Sequence, residues 1–144
     1  MGKIKIKTKY KKMLADTITP VSIYLNIRNK YKESFLLESS DYHGNEDSYS
    51  FICFNPVASF KVEDGKIFIV YPNGDFETKL TTQSDVVKEL NHFAGLFESE
   101  ELGYDFVTNG LFGFTSFEGV RHFEDIDFDY PEKEEKKVPD MHYM

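Results

Sequence analysis

Between residues 58 and 80, two turn signals fall at hairpin spacing between three runs of strand-forming residues. Ala58 to Val62 alternates, with Phe60 and Val62 on one face. Glu63-Asp64-Gly65 follows, and Asp-Gly at this spacing favours the tight turn that matches strand twist. Lys66 to Tyr71 carries Ile67, Phe68, Ile69 and Val70. Pro72-Asn73-Gly74-Asp75 marks the next turn, and Phe76 to Leu80 is the returning strand. Consecutive hairpins dictate antiparallel pairing, because parallel strands need a long crossover. Tyr49 to Phe54 and the apolar run Ser34-Phe35-Leu36-Leu37-Glu38 read as two further strands. The polar stretch from Ser39 to Asp47, with Gly44, is the loop between them.

Two helices join this sheet, so the expected class is α+β, mainly antiparallel with packed helices. Thr19-Pro20 opens the first, over Pro20 to Asn29: a capping hydroxyl, then proline where its missing N–H costs nothing. Val21, Tyr24 and Leu25 form its expected apolar face. Ser84 opens the second, with Val86, Val87, Leu90, Phe93 and Ala94 on one stripe. Glu98 to Asp105 reads as a polar connection, and Gly110 to Phe117 as a strand entering a turn or helix. Neither an internal repeat nor a linker interrupts the chain. Its 144 residues suit one domain, over 1–144, able to bury roughly 68–70% of its unfolded surface.

Composition narrows the function classes. Aromatics reach 16%, too many for a disordered chain. No run of about 18 apolar residues would span a membrane, and the Lys-rich start lacks a signal peptide's apolar stretch. The net charge of −8 argues against nucleic acid as the main partner. Lys3, Lys5, Lys7 and Lys9 alternate with Ile4, Ile6 and Thr8, which reads as a short strand or extended arm with one apolar face. A nucleic-acid patch is the sharper alternative, but no aromatic platform follows the lysines. Glu118 to Glu135 is strongly acidic, and attraction between the two ends is conceivable.

Few residues are arranged for catalysis. His43, His92, His122 and His142 make no metal-ligand spacing with one another or with Cys53, the one cysteine. Cys53 lies in an apolar strand, where burial raises a thiol's pKa, and a reducing cytoplasm is its simplest setting. His122 could serve as a base but suits a structural role better. Gly110, Gly113 and Gly119 lack the spacing of a phosphate loop or a dinucleotide fingerprint. The acidic stretch offers no preferred pair of carboxylates for acid and base work. More informative is Leu36-Leu37-Glu38-Ser39-Ser40. A strand ending in Glu-Ser sets a carboxylate and a hydroxyl at the rim of a core, which suits an ammonium beside an apolar wall. A strand end whose polar residues simply face water is the plainer reading.

Taken in order, several segments resemble the N-terminal region of the anthranilate synthase component I family of chorismate-using enzymes. Thr19-Pro20-Val21-Ser22 opens a helix, and Phe35-Leu36-Leu37-Glu38-Ser39 is similar to the family's Leu-Leu-Glu-Ser element. Tyr49-Ser50-Phe51-Ile52-Cys53-Phe54-Asn55-Pro56 resembles its strand followed by Asn-Pro or Asp-Pro. Gly110-Leu111-Phe112-Gly113-Phe114-Thr115-Ser116-Phe117-Glu118, with Arg121 and Glu124, is similar to its Gly-x-x-Gly-Tyr block, Phe114 and Phe117 standing for the commoner tyrosines. Pro139-Asp140-Met141 resembles the approach to the next strand. The resemblance runs from about Thr17 to Met144.

The resemblance implies part of a larger α+β sandwich. It implies a protein that turns chorismate and ammonia into anthranilate and pyruvate for tryptophan biosynthesis, in the cytoplasm. A glutamine amidotransferase, component II, would supply the ammonia, and magnesium would serve the chorismate site. That site lies in a C-terminal part with no counterpart here, so the chain is expected to be a regulatory fragment, inactive alone. Leu37, Glu38 and Ser39 would line the site for feedback inhibition by tryptophan, with Glu38 near the ligand ammonium and Tyr49 or Ser50 adding to the wall. Other readings are the aminodeoxychorismate synthase component of folate synthesis, a stand-alone amino-acid-binding module, and an interaction domain. Uncovered sheet edges would also allow a homo-oligomer.

Overall fold

A computed structural model describes residues 2–38, 49–82, 84–100, 102–104, 106–126 and 138–144. The described residues contain nine strands: β1 (Ile4–Ile6), β2 (Ser34–Glu38), β3 (Ser50–Phe54), β4 (Ser59–Glu63), β5 (Lys66–Val70), β6 (Phe76–Leu80), β7 (Phe97–Ser99), β8 (Gly113–Thr115) and β9 (Met141–Tyr143). Two α-helices, α1 (Pro20–Ile27) and α2 (Val86–Gly95), and a 3₁₀ helix over Phe117–His122 complete them. The class is α+β with mostly antiparallel pairing, as expected. The chain divides into two compact units, one of Met1–Lys9 with Val57–Met144 and one of Tyr10–Pro56.

The larger unit is built on a five-stranded sheet of order β6-β5-β4-β9-β8. Its two hairpins are those the turn signals announce. Glu63 pairs with Lys66 across Asp64 and Gly65, both with left-handed φ (49° and 69°), the signature of the tight turn that Asp-Gly favours. At the second turn Gly74 has a φ of 87°, and the backbone N–H groups of Tyr71 and Gly74 close it on Asp75 and Tyr71. Phe60 and Val62 of β4 face Ile69 and Ile67 of β5, and Met141 of β9 lies opposite Val62. All five are buried. Phe93 of α2 covers them, its ring 5.8 Å from that of Phe60 and edge-on to Phe97 at 5.2 Å.

Helix α2 starts on Asp85, one residue later than the expected Ser84: the Asp85 carboxylate accepts the Lys88 N–H. Val86 and Phe93 of its stripe are buried, but Ala94 is exposed, because the buried line turns towards Leu96 and Phe97. The expected polar connection from Glu98 begins instead inside β7, which pairs in parallel with β1, Ile4 opposite Phe97. Ile4 and Ile6 are half-buried and Lys5 is exposed, so the alternating arm is a strand. The strand expected after Pro139-Asp140 is β9, which enters the sheet between β4 and β8.

In the smaller unit, β2 and β3 pair antiparallel, and α1 packs on them. Thr19 and Ser22 exchange side-chain-to-backbone hydrogen bonds, a capping box. The half-buried face of α1 is Pro20, Ile23, Tyr24 and Ile27, while Val21 and Leu25 are exposed. The expected face is therefore corrected except at Tyr24. Both lines are apolar, and the Tyr24 hydroxyl, donating to the Ser34 carbonyl at 3.3 Å, belongs to the one that packs. The helix ends at Ile27, two residues before the expected Asn29.

Candidate functional site

The β2–β3 hairpin carries the residues that the sequence marks for ligand binding. Its register sets Glu38 opposite Ser50, Leu37 opposite Phe51 and Leu36 opposite Ile52. Opposed residues in an antiparallel pair share a face, with Cα atoms about 5 Å apart. Glu38 and Ser50 thus stand together at the end of the hairpin where residues 39–49 join the two strands, and both are exposed. Leu36 and Ile52, half-buried, come next on the same face, and Ser34 and Phe54 after them.

Strand alternation separates Leu37 from Glu38. Leu37 shares the other face with Phe51, Phe35 and Cys53. The apolar neighbours of the Glu38 carboxylate are therefore Leu36 and Ile52. The alternation of Ser34-Phe35-Leu36-Leu37-Glu38 already contains that division once the run is taken as a strand. Tyr49, just before β3, is exposed. Ser39 lies outside the described residues, as does the rest of the expected loop up to Asp47. Desolvation raises the Cys53 thiol pKa above its ordinary value, as the sequence leads one to expect.

A carboxylate beside a hydroxyl, next to two aliphatic side chains, has the chemistry to hold an ammonium whose carbon skeleton is apolar. The Tyr31 and Phe54 rings, 4.8 Å apart, fix the far end of the Glu38 face.

A second polar cluster lies in the larger unit. Gly113 pairs with Tyr143, and Phe114 with His142. The Ser116 hydroxyl accepts the Gly119 N–H and starts the 3₁₀ helix. That helix delivers Arg121 and His122 to the buried Asp140: His122 Nε2 is 3.0 Å from one carboxylate oxygen and Arg121 Nη2 is 3.8 Å from the other. Arg121 also donates to the Glu118 carbonyl at 3.0 Å. Two sequence elements 18 residues apart meet here, and only the sheet position of β9 brings them together. His122 is a tether in this setting, for its partner is a buried carboxylate. Among the described residues, no three His, Cys, Asp or Glu side chains converge as metal ligands. No described helix is long and apolar enough to cross a membrane.

No family model matches the chain. Curated relatives do. The chain is 30% identical over 138 residues to the protein named anthranilate synthase component 1 of Lactococcus lactis, covering 94% of this chain and 28% of that one. It is 26% identical over 131 residues to the protein of that name from Arthrobacter globiformis, covering 90% and 24%. With the Methanothermobacter marburgensis protein of that name it shares 28% identity over 118 residues, covering 80% and 24%. The chain thus spans about a quarter of the length of the relatives it matches.

Proposed function

We propose, on the premise that this chain is a relative of anthranilate synthase component 1 over most of its length, that it forms the tryptophan-sensing region of such an enzyme. The complete enzyme converts chorismate and ammonia to anthranilate and pyruvate. A glutamine amidotransferase subunit supplies the ammonia, and magnesium serves a chorismate site built from chain other than this. The described residues offer no metal-ligand cluster, so no magnesium step is assigned to them.

The observation that carries the reading is the pairing of Glu38 with Ser50 above Leu36 and Ile52. The carboxylate takes the tryptophan ammonium and the hydroxyl completes its hydrogen bonds. The aliphatic pair lies against the ligand's carbon skeleton. Inhibition follows if tryptophan binds better to a state whose chorismate site is less competent, and its effect is limited to that difference in affinity.

Anthranilate formation by the complete enzyme tests this. Glu38→Ala and Ser39→Phe raise the tryptophan concentration needed for half-inhibition while most activity remains. An unchanged inhibition constant in both variants contradicts the assignment. The chain contains no tryptophan, so a bound ligand would be the sole indole within it to fluoresce. The isolated chain is expected to bind tryptophan weakly or not at all, and calorimetry giving micromolar affinity would contradict that.

A further inference from the structure

Strand β6 is an outer strand of the five-stranded sheet in the larger unit, and β5 is its one strand partner among the described residues. The turns at its two ends fix which of its backbone groups that partner uses. The Tyr71 N–H donates to the Asp75 carbonyl and the Thr81 N–H to the Gly65 carbonyl. Hydrogen-bonded pairs alternate from there, so Glu77 bonds with Ile69 and Lys79 with Ile67. The N–H and C=O groups of Phe76, Thr78 and Leu80 therefore point away from β5, along the open edge. Natural edges are commonly blunted by a proline, a bulge or an inward-pointing charge. β6 has no proline, and its register with β5 runs unbroken over its 5 residues. The charge of Lys79 is already answered within the chain, by Glu89 at 2.7 Å and Glu77 at 3.4 Å. The apolar side chains of the edge are left bare: Phe76 is 80% exposed and Leu80 42%, beside Val70 at 41%.

We propose that this edge is a contact between two copies of the chain, which pair antiparallel about a two-fold axis at Thr78. The segment Phe76-Glu77-Thr78-Lys79-Leu80 is complementary to itself in that direction. Thr78 of one copy exchanges both backbone hydrogen bonds with Thr78 of the other, and Phe76 does so with Leu80, so every outward group of the strand is used. Glu77 then lies opposite Lys79 twice, at non-hydrogen-bonded positions where Cα atoms are about 4.5 Å apart and side chains closest. On the other face Phe76 meets Leu80 of the second copy, extending the row in which Val70 already lies beside Phe76. Sliding one copy by a single residue sets outward groups against inward ones. Sliding it by two sets Glu77 against Glu77 or Lys79 against Lys79, so charge selects the register. The contact uses the same edge of both copies and therefore closes at two. A strand pair of this length is small beside the roughly 1,200 Å² of a stable interface, so the dimer is weak and depends on concentration. The inference is independent of the reading given to the β2–β3 hairpin.

Sedimentation equilibrium of the full chain, from micromolar to millimolar concentration, tests this. The parent mass is expected to rise from one chain towards two and to stop there. Thr78→Pro removes an outward N–H, which an edge strand tolerates, and sets a ring in the path of the second copy. Association should then weaken about tenfold or more. Glu77→Lys and Lys79→Glu should each weaken association, because each sets like charges opposite one another. Mixing those two variants should restore it, because every opposed pair is then of unlike charge. Where one of these variants does not fold, Phe76→Lys takes its place: the side chain is exposed in the single copy, so the fold is kept and association weakens. The proposal is overturned if the parent stays at one chain throughout, which would give the edge to another occupant. It is equally overturned if Phe76→Lys or a folded Thr78→Pro variant associates as tightly as the parent, or if the two folded charge variants associate no better mixed than alone.

Discussion

Gly113 and Asp140 show how much single residues decide here. A Cβ at Gly113 would lie 1.9 Å from the His142 carbonyl oxygen, on backbone that cannot move without parting β8 from β9. Gly113→Ala is therefore expected to cost roughly 3 kcal/mol, the upper end for overpacking, read as a lower denaturant midpoint. Asp140 is 4% exposed and holds both His122 and Arg121. Asp140→Ala leaves that pair without its buried carboxylate and should cost about 3 kcal/mol. A midpoint within experimental error of the parent would show that the cluster does not tie the 3₁₀ helix to β9. The glycine was plain in the sequence as part of a block. Its reason was not, because the backbone that crowds it lies about thirty residues away.

Elements differ in how readily the sequence discloses them. The bounds of β2 and β6 agree with the sequence reading, since each is closed by polar or turn residues at both ends. The pairing of β1 with β7 was hidden, because three residues near the start and three near residue 98 give no local sign of each other. The packed face of α1 was also ambiguous: Val21 and Leu25 form one apolar line and Ile23 and Ile27 another, and periodicity cannot choose between them. The same limit applies to the candidate site. Glu38 was legible at a strand end, whereas its partner and its apolar neighbours needed the register of the hairpin.

Two predictions belong to this scale. Thr19→Ala removes one side of the α1 capping box and should destabilise the protein by about 1 kcal/mol. The second concerns the contact of β6 with α2. Desolvation and the hydrogen bond to Glu77 raise the Tyr71 pKa, and the hydrogen bond to Glu89 raises that of Lys79. Both folded values lie above the unfolded ones, so the stabilisation is complete below about pH 10 and is lost as pH rises through the folded values. Urea midpoints across alkaline pH should fall, and Glu89→Gln should flatten part of that fall. Midpoints independent of pH up to 11 would contradict the assignment.

At the scale of the whole molecule, the two units differ in how much apolar surface they bury. The larger unit gathers the buried apolar side chains between a five-stranded sheet and α2. Phe93→Ala there should cost about 3–5 kcal/mol. The smaller unit has no buried residue in its helix, and its hairpin ends in exposed Glu38 and Ser50. A marginally packed element with polar groups at its rim is suited to respond to a ligand, because local opening there costs little.

The most direct test is the inhibition of anthranilate formation by tryptophan in the complete enzyme carrying Glu38→Ala, measured beside the parent. Loss of a charge-assisted hydrogen bond to the ammonium should raise the inhibition constant about tenfold or more while most activity remains. An inhibition constant equal to the parent's, with activity intact, would show that Glu38 does not bind the inhibitor.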